Sequence, residues 1–232
     1  MRNGHGEYIS ADGRKYIGNW KDDKQNGVGE LFCKNGDTYN GELKNNEFHG
    51  NGEYKWANGD LYSGEWKNSQ RSGKGVLFHS NGDRFIGEFE FDKNKGKGQL
   101  ICTNGDKYYG DWIDGKIDGE GEYFWANGDQ YNGEWVNNLP DGLGECIYAN
   151  GNKYIGQYKF GERNGQGKMI YAENGHVYEG EWLNSQKSGK GQLIYDDGRV
   201  YTGEFSNDEI NGQGECTWGF GGPIFSGQWK NG

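Results

Sequence analysis

The feature that most constrains this chain is a tandem repeat with a period of 23 residues. Each unit opens with an aromatic residue, any residue, glycine, a polar residue and usually a second aromatic residue. A Gly-x-Gly follows seven residues later, and an Asn-Gly or Asp-Gly pair usually follows six residues after its second glycine. The opening aromatic residues are Tyr16, Tyr39, Tyr62, Phe85, Tyr108, Tyr131, Tyr154, Tyr178, Tyr201 and Phe225. Such a period predicts a stacked array of one supersecondary unit.

Each repeat is predicted to be a β-hairpin. Asn35-Gly36, Asn58-Gly59 and Asn104-Gly105 are flanked by aromatic and β-branched runs, and Asn-Gly is the strongest short-range hairpin signal. Two intervals of 24 residues place one extra residue near Asn174-Gly175 and another near Gly221-Gly222, where turns are expected. The predicted fold class is therefore all-β, a single-layer twisted antiparallel sheet of tandem hairpins. One continuous array of about ten repeats over 1–232 would form an elongated rod or trough of roughly 100 Å.

Alternation along the strands sorts the side chains onto two faces. Tyr62, Gly64 and Trp66 share one face, while Ser63 and Glu65 share the other. We expect the glycines to leave slots into which neighbouring rings pack, as in the aromatic rescue of strand glycines. The composition fits an ordered but thin structure, because 45 Gly and 9 Trp, 16 Tyr and 11 Phe accompany only 2 Pro and 31% hydrophobic residues. Collagen and disordered chains are excluded by the scarcity of proline and the abundance of aromatic rings.

These motifs resemble the MORN repeat family, over nearly the whole chain. The segment from Tyr62 to Trp66 followed by Gly73-Lys74-Gly75 is a close copy of its unit, as is the segment from Tyr131 to Trp135. The resemblance implies a non-enzymatic scaffold or adaptor that binds protein partners, in a cytoskeletal or ciliary assembly. Two alternatives stay open: a phospholipid-binding membrane-tethering module, or the targeting segment of a larger enzyme such as a phosphatidylinositol phosphate kinase.

Two candidate binding surfaces follow from the face assignment. An aromatic trough is predicted to hold a helical or extended partner segment, since aromatic residues serve as interface anchors; its residues are Trp56, Trp66, Trp112, Trp125, Trp135, Tyr148, Tyr171, Trp182, Tyr195 and Trp218. A basic edge is the candidate for anionic phospholipid headgroups; its residues are Arg71, Lys74, Lys93, Lys95, Lys97, Lys187 and Lys190. The formal charge of −10 counts against a membrane surface and disfavours nucleic acid.

No catalytic, metal or cofactor site is expected. The acidic columns, such as the one containing Glu65 and Glu134, repeat evenly on a solvated face without a pocket that would raise a pKa. The cysteines fall in different repeats, roughly 20 Å or more apart, beyond the reach of a disulfide. With no apolar segment after Arg2, we expect a cytoplasmic protein. Open strand edges at the ends of the stack predict a homodimer.

Overall fold

A computed structural model describes residues 1–219 and 222–231 of the chain. Regular secondary structure in the described residues consists of strands alone. The twenty strands are β1 (Gly4–Ile9), β2 (Lys15–Lys21), β3 (Lys24–Phe32), β4 (Thr38–Lys44), β5 (Glu47–Lys55), β6 (Leu61–Lys67), β7 (Gln70–Phe78), β8 (Arg84–Glu90), β9 (Lys93–Ile101), β10 (Lys107–Ile113), β11 (Lys116–Phe124), β12 (Gln130–Val136), β13 (Leu139–Ile147), β14 (Lys153–Lys159), β15 (Glu162–Ile170), β16 (Val177–Leu183), β17 (Gln186–Ile194), β18 (Arg199–Ser206), β19 (Glu209–Trp218) and β20 (Ile224–Trp229). Within the described ranges, no helix is long and apolar enough to cross a membrane.

The strands fall into two compact units, Met1–Lys116 and Ile117–Gly232. In the first unit each strand from β1 to β10 pairs antiparallel with the next one along the chain. In the second unit the strands from β11 to β20 follow the same order. The all-β class and the antiparallel tandem hairpins are therefore confirmed, with a single layer of strands in each unit. The continuity of the array over 1–232 stays a prediction.

The tight turns lie elsewhere than the sequence analysis expected. A short strand and the long strand after it are joined by two residues that both have positive φ, such as Asn68 (51°) and Ser69 (61°), which is the signature of a type I′ turn. Asn58-Gly59 instead lies in a wider loop over 56–60, in which the Trp56 amide donates to the Asp60 carbonyl at 3.0 Å. Each repeat therefore has a tight turn at one end of its strands and a five-residue loop at the other end.

The extra residue near Asn174-Gly175 is confirmed. The loop between β15 and β16 has six residues, and it keeps the same closing hydrogen bond, from the Tyr171 amide to the His176 carbonyl at 2.9 Å. An insertion at the loop leaves the strand register intact, because the ladder hydrogen bonds begin only after it. Of the second predicted position, Gly221 lies outside the described residues.

One face of the sheet, which we call the aromatic face, is packed with rings over glycines, as predicted. Nine of the ten opening aromatic residues are at most 2% exposed, and the exception is Phe225 at 50%. Tyr62 leaves no exposed surface, and its hydroxyl donates to the Glu65 carbonyl at 3.0 Å. Burial raises the pKa of Tyr62 to about 12, so the hydroxyl stays a donor at neutral pH. Trp66 meets Tyr62 edge to face at 5.1 Å and donates from its indole to the Gly52 carbonyl at 3.1 Å. Burying each such ring contributes roughly 1.5–3 kcal/mol.

The acidic column of the second face has a structural role that the sequence analysis missed. A bulge interrupts the pairing of eight short strands with the long strand that follows, for instance between Gly64 and Trp66. The Glu65 carboxylate accepts the Lys74 amide of that bulge at 3.0 Å. Gln157 does the same for Gln166 at 2.7 Å, which shows that the acceptor oxygen matters rather than the charge. Glutamates at this position cap bulge amides and are not merely solvating charges.

Candidate partner-binding face

The ten predicted trough residues divide into a buried and an accessible group. Four of them lie on short strands and are buried among neighbouring rings: Trp66, Trp112, Trp135 and Trp182. The other six stand at the ends of long strands, where the loops begin, and are partly exposed: Trp56, Trp125, Tyr148, Tyr171, Tyr195 and Trp218. We call these six the loop-edge row. Of the ten predicted trough residues, these six are the ones that are not buried.

The loop-edge row is concentrated in the second unit, Ile117–Gly232. Five consecutive repeats there carry an aromatic residue at this position, from Trp125 to Trp218. The first unit carries one, Trp56, and its other four equivalent positions hold small or polar residues: Ser10, Cys33, His79 and Cys102. Since the first unit folds with such residues there, the fold itself does not require an aromatic ring at the loop edge.

Neighbouring rings hold several members of the row in place. Trp56 packs against Tyr54 with ring centroids 4.8 Å apart, and Trp125 packs against Tyr123 at 4.6 Å. Tyr195 meets the His176 ring at 5.0 Å. An aromatic side chain that is already ordered loses little conformational entropy when a ligand covers it.

A second signal that sequence reasoning missed is the aspartate that closes five of the loops, at Asp37, Asp60, Asp83, Asp106 and Asp129. The Asp60 carboxylate accepts the amide of Ser80, one repeat further on, at 2.7 Å, and Asp83 accepts the amide of Thr103 at 2.7 Å. These hydrogen bonds from backbone amides lower the pKa of both carboxyl groups. At Asp37 the Tyr54 hydroxyl is the main cause of the lowered pKa. Within the loop-edge row, the loops of Trp56 and Trp125 end in such an aspartate, Asp60 and Asp129, and Asp129 accepts the amide of Ala149 at 2.8 Å.

Two members of the predicted basic edge lie on the aromatic face instead, which corrects their assignment. The guanidinium carbon of Arg71 lies 5.4 Å from the Phe89 ring centroid, and its Nε is 3.2 Å from Asp92. The Lys187 ammonium lies 5.7 Å from the Tyr178 ring centroid, and burial lowers the pKa of this lysine. Both are the second residue of a long strand, a position whose side chain packs beside the short-strand ring. They stabilise the ring stack as cation–π partners.

The other five basic residues are exposed on long strands but meet acidic neighbours. Lys93 lies 3.3 Å from Asp114, Lys97 lies 2.8 Å from Asp111, and Lys95 pairs with Glu90. Lys74 and Lys190 face glutamates across the strand pairs, at Glu88 and Glu204 respectively. The seven predicted residues are not brought together on one surface. Lipid binding by the five exposed ones stays a prediction.

An open cleft of about 520 Å³ lies on the aromatic face of the second unit. Its walls include Trp125, Trp135, Tyr148 and Tyr158, and Pro140 lies between them. The cleft exists because Pro140 and Cys146 occupy positions that hold the longer Arg163 and Met169 one repeat later. The Tyr158 side chain is only 8% exposed, and its buried hydroxyl makes no hydrogen bond of regular geometry among the described residues, although the Cys146 thiol and the Tyr148 hydroxyl lie beside it.

Cysteine and histidine side chains form no centre on this surface. All four cysteines are free thiols, with Cys146 and Cys216 buried. Burial raises the pKa of the Cys146 thiol, which disfavours the reactive thiolate. Over residues 1–219 and 222–231, no group of three or more His, Cys, Asp or Glu side chains is arranged to hold a metal ion.

A search of curated protein sequences found no match. Among solved structures, the chain is similar to the TCP domain of Drosophila melanogaster SAS-4 (dCPAP) in complex with a proline-rich motif of Ana2 (dSTIL), with 17% identity, 77% of this chain and 90% of that chain covered, and a TM-score of 0.42. It is also similar to the wild-type TCP10 domain of Danio rerio CPAP, with 14% identity, 97% and 100% covered, and a TM-score of 0.44. At these TM-scores, the similarity carries no inference about what this chain binds.

The family assignment rests on a sequence model of the repeat itself. The model described as "MORN repeat" matches ten segments, at residues 1–13, 16–38, 39–61, 62–84, 85–107, 108–130, 131–153, 154–176, 178–198 and 201–219. These segments reproduce the 23-residue period, and each complete one contains the buried ring, the paired glycines and the loop described above. Because the matches cover most of the sequence, the chain belongs to the MORN repeat family.

Proposed function

We propose that this chain is a non-enzymatic scaffold that binds segments of partner proteins along its aromatic face. The observation that carries the proposal is the loop-edge row of the second unit, where five consecutive repeats expose a Trp or Tyr that the fold does not require. Large, ordered aromatic side chains at a partly exposed position are typical of interface anchors. A place in a cytoskeletal or ciliary assembly is part of the proposal and rests on the family resemblance.

The proposal is tested by selecting peptides from a random displayed library against the purified chain and measuring their affinities by calorimetry. We expect Trp125→Ala and Tyr195→Ala to weaken a selected peptide about ten-fold or more, as for other anchor residues, without changing the melting temperature. Phe91→Ala and Phe160→Ala are matched controls, since these rings are 69% and 71% exposed but lie at tight turns. Affinities that respond to the controls and not to the loop-edge variants would contradict the proposal.

A second candidate function is attachment to an anionic membrane, and a different observation favours it. On the second face of the first unit, one row across neighbouring strands consists of five apolar side chains, four cationic side chains and one threonine, without an acidic member. In order of pairing the row is Ile9, Lys15, Phe32, Thr38, Lys55, Leu61, Phe78, Arg84, Ile101 and Lys107. Apolar side chains beside cations suit the boundary between headgroups and acyl chains.

Co-flotation with vesicles containing phosphatidylserine and a phosphoinositide tests this candidate at physiological salt. If the row binds lipid, combined charge reversal at Lys55, Arg84 and Lys107 abolishes flotation. The matched control reverses Lys93, Lys95 and Lys97, which changes the net charge equally on residues that already have acidic partners. Equal loss in both variants would indicate unspecific charge attraction and would remove the membrane candidate.

A further inference from the structure

We propose that the cleft between Trp135 and Tyr158 accepts an arginine side chain from a partner protein. The inference rests on the proposed scaffold function and names the chemistry of one binding position. It follows from a comparison of equivalent positions within the chain, in which three of the nine long strands from β3 to β19 carry a cation at one shared position and the repeat that follows the cleft is one of them.

The relevant position is the second residue of each long strand. Arg71 and Arg163 occupy it in β7 and β15, and Lys187 occupies it in β17. The Arg163 guanidinium carbon lies 4.5 Å from the Trp182 ring centroid, which is closer than the 5.4 Å from Arg71 to Phe89. In these three repeats the aromatic face holds a cation beside a short-strand ring.

Each of these arginines also has a fixed hydrogen-bond acceptor. A terminal guanidinium nitrogen of Arg71 donates to the backbone carbonyl of Asp92 at 2.6 Å, and that of Arg163 donates to the carbonyl of Ser185 at 2.6 Å. Both carbonyls belong to the second residue of the next tight turn. Ring face and turn carbonyl together form a repeated guanidinium site.

Pro140 occupies the same position in β13, and it leaves this site empty of a cation. The equivalent turn residue is Gly161, which lines the cleft. In the two arginine repeats, the side chains of Asp92 and Ser185 also accept a hydrogen bond from the backbone amides of Arg71 and Arg163. No such hydrogen bond forms in the repeat with the cleft, because Gly161 has no side chain and Pro140 has no backbone N–H. The Trp135 and Tyr158 side chains, 3% and 8% exposed, line the cleft together with Gly161, so the ring and turn positions of the site are present and the arginine is missing.

Charge favours a cationic occupant from outside. Residues 117–232 contain 17 acidic and 8 basic residues, whereas residues 1–116 contain 18 and 17. Nearly all of the net negative charge therefore belongs to the unit that contains the cleft, and Asp129 lies in its lining. Arginine suits the site better than lysine, since its planar guanidinium stacks on rings and carries five donors.

The test uses the full chain labelled with ¹⁵N and a blocked tripeptide, Gly-Arg-Gly, with its citrulline and leucine counterparts. The readout is the indole N–H signals of Trp125 and Trp135. We expect saturable shifts with the arginine peptide at a Kd on the order of millimolar, as for a fragment of this size, and at least about ten-fold weaker binding of the neutral citrulline peptide, which loses the cation.

Pro140→Arg supplies the missing side chain within the chain and is expected to abolish the shifts. Asn132→Arg is its control, because it adds the same charge at an exposed position on the second face of the same repeat. Trp125→Ala removes a partly exposed wall and weakens binding without affecting the buried core, which keeps the test decisive if Pro140→Arg fails to fold.

Equal shifts with arginine, citrulline and leucine would overturn the arginine assignment and leave the scaffold proposal standing, since the cleft would still bind a peptide. Arginine binding that persists in Pro140→Arg would place it outside the cleft and overturn the inference. The absence of a saturable shift would also overturn the inference. The scaffold proposal is tested separately, with the longer peptides selected from the library.

Discussion

The ring of Tyr62 covers the backbone of Gly75 on the neighbouring strand, and a Cβ atom on that glycine would stand 2.5 Å from the ring carbon Cε2. A Cβ atom on Gly64 would stand 2.6 Å from the hydroxyl of the same tyrosine. Neither distance is compatible with a side chain. The paired glycines are therefore a steric requirement of the buried ring, and the ring in turn occupies the space that the glycines leave.

Gly75→Ala is expected to lower the free energy of unfolding by about 1–3 kcal/mol, because the new methyl group overlaps a ring that cannot move away. Urea unfolding followed by tryptophan fluorescence measures the effect. Gly6→Ala is the control at the equivalent glycine of β1, where the nearest atoms are 3.9 Å away. Equal losses in both variants would show that backbone entropy rather than ring overlap explains the glycine.

Glu65 separates the effect of charge from that of hydrogen bonding. Glu65→Gln is expected to change stability by less than about 0.5 kcal/mol, since Gln157 already caps a bulge in this chain. Glu65→Ala leaves the Lys74 amide without its acceptor and is expected to cost about 1–2 kcal/mol. A large loss for glutamine would instead favour an electrostatic role, and chemical denaturation of the three proteins distinguishes the two.

The period and the ring-over-glycine packing were predictable because both depend on residues that recur at fixed spacing. Tyr62, Gly64 and Trp66 stand at alternate positions, and only one face can receive them together. The six-residue loop near Gly175 was predictable for the same reason, since an interval of 24 residues can be absorbed only where no ladder is interrupted.

The turn positions and the inward cations were not predictable from local signals. Asn-Gly favours a two-residue turn, but Asn58-Gly59 lies inside the five-residue loop over 56–60. The hydrogen bond from the Trp56 amide to the Asp60 carbonyl closes this wider loop and overrides the local preference. Phe91 and Phe160 adopt positive φ in tight turns, although aromatic residues disfavour it. From the sequence alone, Arg71 is predicted to be a charge on the surface, and only the pairing of β6 with β7 places it opposite Trp66.

The loop aspartates predict a particular response to acid. Hydrogen bonds hold the pKa values of Asp37, Asp60 and Asp83 below their usual range. A carboxyl group with a lower pKa in the folded state stabilises the fold above its unfolded pKa of about 3.9, and that contribution is lost as the pH falls through the folded value. We expect the melting temperature to decline as the pH is lowered from about 5 towards 2.

A variant that combines Asp37→Asn, Asp60→Asn and Asp83→Asn tests the origin of this decline. Asparagine keeps an acceptor oxygen, as Asn152 does for the Ala172 amide at 2.9 Å, but does not titrate. The decline should therefore become shallower while the fold persists at neutral pH. An unchanged pH profile would show that other carboxyl groups dominate acid unfolding.

The buried and exposed tryptophans of the predicted trough should differ in their effects on stability. Trp135 is 3% exposed and donates to the Gly121 carbonyl at 3.1 Å, so Trp135→Ala is expected to cost about 3–5 kcal/mol. Trp218 is 42% exposed, and Trp218→Ala should cost less than about 1 kcal/mol. Thermal and urea unfolding measure both, and a near-neutral Trp135 variant would return that ring to the set of accessible anchors.

Tyr158 and Tyr154 provide a matched pair that tests whether the cleft wall contains an unsatisfied hydroxyl. Tyr154 donates to the Gln157 carbonyl at 3.0 Å, so Tyr154→Phe is expected to lower stability by about 1 kcal/mol. The buried Tyr158 hydroxyl makes no hydrogen bond of regular geometry among the described residues, and Tyr158→Phe is expected to be neutral or to stabilise by about 1 kcal/mol, because it removes the desolvation cost of that group. A loss of stability in Tyr158→Phe similar to that in Tyr154→Phe would mean that the Tyr158 hydroxyl is hydrogen-bonded in solution. The hydroxyl in the cleft wall would then have its hydrogen-bond partner without a ligand.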